Sequence, residues 1–207
     1  MFNRIYLAGL VAVAFATSAQ AGVDLVASQA TFSSLGATTQ NTNFDAYPTN
    51  GTWTFPGSPF TVGDLTFVEG GQNLIGGTVS YGFARNLITD NYVQGTTVDI
   101  AGTHNLLAFN AGNFFSSGDA SFDIATNLGN YHFVSSVPNG AIGLQFLGYE
   151  AGAGEFFTSF KVSGYNATGL TDIQLGLTQA VPEPQTYALL LAGLAAVGFM
   201  SRRKNQA

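Results

Sequence analysis

Phe156-Phe157-Thr158-Ser159-Phe160-Lys161-Val162 is the stretch on which the fold turns. Phe156, Thr158, Phe160 and Val162 recur at a period of two, with Ser159 and Lys161 between them, so an extended chain puts the first set on a buried face and the second in water. The same alternation sets Phe122 and Ile124 against Asp123, and Ile173, Leu175 and Leu177 against Asp172 and Gln174. Outward from these, runs rich in Val, Ile, Phe, Tyr and Thr predict further strands at 23–27, 64–69, 78–83, 96–101, 104–109, 131–137 and 142–149. Thr49-Asn50-Gly51, Gly70-Gly71, Gly76-Gly77, Ser117-Gly118, Pro138-Asn139-Gly140 and Gly152-Ala153-Gly154 break them, as residues that favour tight reversal do. Helical periodicity is hard to find. About nine to eleven short strands on one domain predict an all-β fold, a two-sheet sandwich of jelly-roll-like topology.

Both ends of the chain read differently from this middle. Residues 1–21 have the three parts of a secretory signal peptide: Arg4, an apolar run at 5–16, and the small-x-small site Ala19-Gln20-Ala21. Cleavage there makes Gly22 the first mature residue; the alternative is an uncleaved N-terminal anchor. At the other end stand Val181-Pro182-Glu183-Pro184, an apolar run at 187–200, and Arg202-Arg203-Lys204. Each proline holds the residue before it extended, so a helix can begin only after Pro184. Fourteen residues at about 1.5 Å each give about 21 Å of helix, a marginal membrane span, and the three positive charges stop transfer at the cytoplasmic face. A plain single-pass anchor and a buried C-terminal helix are the bland alternatives, though Leu189, Leu190, Leu191, Leu194, Val197 and Phe199 leave no polar face.

This order of parts is similar to the PEP-CTERM sorting signal of Gram-negative bacteria. The resemblance covers residues 181–207 and implies handling by an exosortase-type membrane transpeptidase or protease. It also implies delivery to the cell surface, usually in organisms that make extracellular polysaccharide. The middle resembles, more loosely, the β-sandwich ectodomains found in front of such tails, through Asn43-Phe44-Asp45, Gly63-Asp64-Leu65-Thr66-Phe67, the segment 156–160 and the closing segment 169–176. That likeness implies a fold and no activity. The chain thus divides into a signal peptide at 1–21, a β-sandwich at 22–180 and a sorting tail at 181–207.

The two ends inflate the 46% hydrophobic content of the whole chain. Residues 22–180 carry two basic side chains, Arg85 and Lys161, against eleven carboxylates, a net charge of −9. A surface of that sign repels phosphate backbones and anionic lipid faces, so no nucleic acid is expected as a partner. With no cysteine, stability rests on packing or on a bound ion.

Catalytic patterns are sparse. No Gly-x-Ser-x-Gly elbow and no phosphate loop occurs, and His104 and His132 lack metalloprotease spacing. A triad of Asp99, His104 and a serine remains a formal arrangement, against His104 as an ordinary strand residue. Glu150 and Glu155 bracket a glycine segment, the placement of a hydrolytic carboxylate pair or of two solvated loop charges. No cofactor is expected. A structural Ca²⁺ is the exception weighed, with oxygen donors at Asp90-Asn91, at Asp119 with Asp123, and at Asp45 with Asp172 if the first and last strands are neighbours. Trp53, in Asn50-Gly51-Thr52-Trp53-Thr54-Phe55-Pro56, is a candidate glycan platform beside Tyr47, with Tyr81 and Tyr92 secondary, although aromatic residues at 13% of the chain are mostly needed for the core. The reading is of a non-enzymatic exported protein of the matrix or envelope, with exopolysaccharide as a candidate partner in a biofilm. A carbohydrate-binding module and a secreted polysaccharide hydrolase are the alternatives.

Overall fold

The computed structural model describes residues 22–47, 53–68, 73–77, 82–83, 85–89, 95–164, 167–179 and 191–194. The elements in chain order are β1 (Val23–Val26), α1 (Gln29–Leu35), β2 (Gly36–Thr42), β3 (Phe60–Val62), β4 (Leu65–Phe67), β5 (Leu74–Gly76) and β6 (Leu87–Thr89). They continue through β7 (Thr96–Ile100), β8 (Leu106–Asn113), β9 (Gly118–Thr126), β10 (Asn130–Val137), β11 (Gln145–Ala151), β12 (Phe157–Gly164) and β13 (Thr168–Thr178). Among the described residues they form a seven-stranded sheet ordered β1-β11-β8-β13-β6-β5, with β2 also on β13, and a six-stranded sheet ordered β10-β9-β12-β7-β4-β3. The paired strands run antiparallel. Residues 20–179 make one compact unit, and residues 191–194 are helical. The expected strand at 78–83 lies mostly outside the described residues.

The core fills the space between the sheets. Phe109 and Tyr149 from the larger sheet meet Phe122 and Phe160 from the smaller, with the Phe109 and Phe160 rings stacked 5.2 Å apart. In β9 the expected alternation holds: Phe122 and Ile124 are buried and Asp123 is exposed. In β12 it slips. A register shift between Phe157 and Ser159 against β9 turns Phe157 into the core and leaves Phe156, the expected inward residue, half-buried. An extra residue at a bulge reverses the face of everything before it.

β13 departs further from expectation. Asp172 and Gln174, read as solvent-facing, are buried, while Leu177 is exposed. β13 lies between β8 on one edge and β6 and β2 on the other, and its register against β8 shifts between Thr171 and Gln174, where Asp172 adopts φ 49°. Over its outer surface lies α1, capped by Ser28, whose Oγ accepts from the Thr31 amide. Gln29 and Gln174 exchange side-chain hydrogen bonds at 3.1 and 2.9 Å, and Phe32 seals a small cluster with Val26, Leu106 and Ala108. No helix was expected here, because seven residues with one buried apolar side chain carry almost no periodic signal.

Candidate functional site

Strand register arranges the outward side chains of the six-stranded sheet into rows. Thr97, Lys161, Asp123 and His132 are successive partners across β7, β12, β9 and β10. A second row runs Thr61, Thr66, Asp99, Ser159, Ala125 and Asn130. Because neighbouring residues on a strand face opposite ways, this polar face is the unavoidable reverse of the aromatic core. A shallow groove of about 260 Å³ lies on it, lined by the first row, by Ser159, Ala125 and Asn130 of the second, and by Tyr131. Within it His132 Nδ1 and Asp123 Oδ1 are 2.6 Å apart, both side chains more than half exposed. Hydroxyl, ammonium, carboxylate, imidazole and amide groups here offer donors and acceptors of both charges along one flat strip. The face was missed in the sequence because its members are scattered between Thr61 and Lys161 and meet only through register.

Asp45 and Asp172 were expected as a pair on the condition that the first and last strands are neighbours; β1 and β13 are not adjacent, but Asp45, from the turn after β2, and Asp172 both reach Arg85. Its Nε donates to Asp45 Oδ2 at 2.8 Å, its Nη2 pairs with the same oxygen, and its Nη1 lies 2.9 Å from Asp172 Oδ1. Asn110 Nδ2 donates to Asp172 at 3.0 Å. The hydrogen bond that Arg85 donates to Asp45, with the charges of both carboxylates, holds the guanidinium pKa above its usual value against the opposing cost of burial. Asn86, itself buried, donates through its side chain to the Phe44 and Tyr47 carbonyls and through its backbone amide to Asp45 Oδ1, which fixes the turn from Phe44 to Tyr47. The cation of this acidic pair is thus the chain's own guanidinium.

Asp119 and Asp123 are not brought together. Both are exposed on β9, four residues and so about 13 Å apart, too far to share one ion directly. Asp90-Asn91 lies outside the described residues, and among those described no three His, Cys, Asp or Glu side chains gather as a metal cluster.

His104 takes Asp64, not Asp99. Its Nε2 is 2.8 Å from Asp64 Oδ2 and its Nδ1 is 3.2 Å from Thr39 Oγ1, which donates to the Leu175 carbonyl at 3.1 Å. The hydroxyl is a threonine already bonded to backbone, and Gln40 grips the same corner by accepting from the Asp64 amide at 2.8 Å. This chain of bonds fastens the turn between β3 and β4 to β2, in the other sheet.

Glu150 and Glu155 take separate partners. Glu150 on β11 sits opposite Asp24 on β1. Desolvation first, and then the Asp24 charge, raise its pKa. A folded glutamate that holds its proton to higher pH than the unfolded one stabilises the fold at low pH, and that contribution is lost as pH rises through the folded value. Asp24→Asn is therefore expected to raise stability by about 0.5 kcal/mol at pH 7 and by nothing at pH 3, read as urea midpoints at the two values. A gain at both values would assign the effect to packing instead. Glu155, by contrast, is only 3% exposed. Its Oε1 accepts from the Tyr131 hydroxyl at 2.8 Å and its Oε2 from the Gly22 amide at 3.1 Å. That hydrogen bond, with lesser help from desolvation and the carboxylate charge, raises the Tyr131 pKa.

Trp53 and Tyr47 sit in separate clusters. Trp53 is half-buried with its ring 5.0 Å from Phe114, packed on the cluster of Phe83, Leu87 and Ala167, and Gly76 is bare because a Cβ there would lie 2.6 Å from the indole. Tyr47 packs edge-on to Phe60, 5.9 Å away, over the main core. Tyr81 and Tyr92 lie outside the described residues.

The described body is thus an all-β sandwich with a polar strip on one sheet and with carboxylates bonded to Arg85, His104 and His132. Residues 180–204 match the family model of the PEP-CTERM protein-sorting motif, so the tail is a sorting signal of that kind and implies recognition by an exosortase. No curated protein and no solved structure matches the chain. Residues 1–21, expected as a signal peptide, with Ala19 and Ala21, and the tail residues Pro182, Glu183, Pro184, Arg202, Arg203 and Lys204 lie outside the described residues. Among those described, no helix is long and apolar enough to cross a membrane.

Proposed function

We propose that the chain is exported, handed to an exosortase through its tail, and acts without catalysis in the extracellular matrix or envelope. The observation that carries this is the sorting motif at 180–204 directly behind a β body that ends at residue 179. The apolar run at 187–200 holds the precursor in the membrane before processing. A jelly-roll reading of the body is supported by strand order: β11-β8-β13-β6 and β10-β9-β12-β7 are the two four-stranded halves of that topology, with the chain crossing between sheets in the matching sequence.

In this reading the contact surface for exopolysaccharide is the strip of Thr97, Lys161, Asp123 and His132. Its support is chemical: a polyhydroxylated chain needs alternating donors and acceptors on a rigid support, and strand side chains supply them at fixed spacing. Intact mass spectrometry of protein from the host's outer surface tests the sorting. The expected species begins at Gly22 and ends near residues 182–184, and replacing Pro182, Glu183 and Pro184 by alanine leaves the full tail in the inner membrane. A surface species that retains 189–204 would overturn it. For the glycan surface, Lys161→Ala and His132→Ala should each weaken retention on the host polysaccharide about tenfold, the equivalent of about 1.4 kcal/mol, with Trp53→Ala unchanged. Loss with Trp53→Ala alone would move the surface to that loop.

A further inference from the structure

We propose that Glu155 and Tyr131 form an acceptor site for the α-ammonium that signal-peptide removal creates at Gly22. The inference rests on cleavage after Ala21 and is independent of the glycan surface.

The Glu155 carboxylate is almost wholly buried, and its partners among the described residues are neutral: the Gly22 N–H and the Tyr131 O–H. A buried carboxylate without a counter-charge is costly. Within residues 22–180 the cations are Arg85 and Lys161. Arg85 is held by Asp45 and Asp172, and Lys161 points outward from β12 in the row with Asp123. Neither is placed to neutralise Glu155.

Gly22 is. Its carbonyl accepts from the Gly152 amide at 2.7 Å, extending the β1–β11 ladder past Val23 and Ala151, while its nitrogen faces Glu155 Oε2. The Glu155 amide in turn donates to the Gly152 carbonyl at 2.9 Å, so one tight turn carries both the carboxylate and the clamp on Gly22. Signal peptidase adds water across the Ala21–Gly22 bond. The hydroxyl goes to the Ala21 carbonyl carbon and leaves a carboxylate on the departing peptide, and the Gly22 nitrogen takes up the protons to become –NH₃⁺. A neutral hydrogen bond to Glu155 then becomes an ion pair, and the carboxylates of Asp24 and Glu150 on the adjoining strands favour the same charge. Cleavage thereby completes the native charge balance, and β1 is fastened at its first residue.

The full precursor, expressed with its own signal and recovered after export, supplies the test. Native protein is treated at neutral pH with an amine-acylating reagent, and the N-terminal peptide is followed by mass spectrometry. The expected result is an N-terminus at Gly22 whose α-amine reacts at least about tenfold more slowly than in Glu155→Gln, since one unit of pKa is a factor of ten. Lys161, away from the site, should react equally in both, and a cooperative urea transition reports that the variant is folded. Tyr131→Phe leaves the carboxylate in place and should keep the slow rate within about threefold. An N-terminus other than Gly22, or equal α-amine rates in wild type and folded Glu155→Gln, overturns the proposal. If Glu155→Gln does not fold, the wild type alone decides: an α-amine as reactive in native buffer as in urea overturns it, and protection lost only on unfolding upholds it.

Discussion

Phe109→Ala is expected to cost about 4 kcal/mol, the largest loss of any single truncation in the sandwich. The ring is fully buried on β8 and stacks on Phe160 across the intersheet gap at an interplanar angle of 16°. Phe122 lies 5.7 Å away and Tyr149 5.9 Å. These three neighbours belong to three different strands of two sheets, each held by its own ladder, so the walls cannot close on the void and both the transfer loss and the cavity loss are felt. For a body of this size the melting temperature should fall by about 10 °C, and the urea midpoint should drop with an unchanged slope. Ile142→Ala is the control: its side chain is 83% exposed, and removal should move stability by no more than about 0.5 kcal/mol. Comparable losses at the two positions would mean that the aromatic contact between sheets is not the centre of the core.

That centre was legible in the sequence because β9 obeys a plain alternation, with Phe122 and Ile124 in and Asp123 out. The tail was legible for a different reason: its parts are contiguous, and a linear motif needs no fold to be recognised. What escaped depends on position in the sheet. The burial of Gln174 follows from α1 lying over β13, and nothing in the residues around 174 foretells a helix closing over them. β2, Gly36-Ala37-Thr38-Thr39-Gln40-Asn41-Thr42, is nearly all polar and was not foreseen as a strand, since it is recruited by the backbone of β13 and not by an apolar face. The slip in β12 came from a single extra residue, which inverts the inward set without changing composition. The polar strip and the Glu155 contact escaped for the same reason: both join residues distant in the chain, through register in one case and a tight turn in the other.

Arg85→Met should be the next most damaging change, at about 3 kcal/mol. Methionine keeps most of the length and apolar stem, so the loss isolates the charge. In the native fold one guanidinium serves two carboxylates, and Asp172, whose side chain is only 10% exposed, has Asn110 as its other donor. Removing the cation strands a buried carboxylate beside a second one, and breaking a buried pair from one side costs more than the pair itself contributes. The cost here stays below the full range for buried pairs because the Asp45 and Arg85 side chains are 40% and 36% exposed and partly screened. Two further variants separate charge from shape. Adding Asp172→Asn to Arg85→Met should recover about half the loss, since asparagine tolerates the positive φ at this position and keeps the side chain's size. Adding Ca²⁺ to the wild type should not raise its melting temperature through this cluster, because the guanidinium already occupies the space between the carboxylates. In Arg85→Met, with the Asp45 and Asp172 carboxylates left without their shared cation, Ca²⁺ should restore part of the stability in a concentration-dependent way. A wild type stabilised by Ca²⁺ and made insensitive by Asp45→Asn would reverse the assignment, making the pair a metal site that Arg85 merely borders.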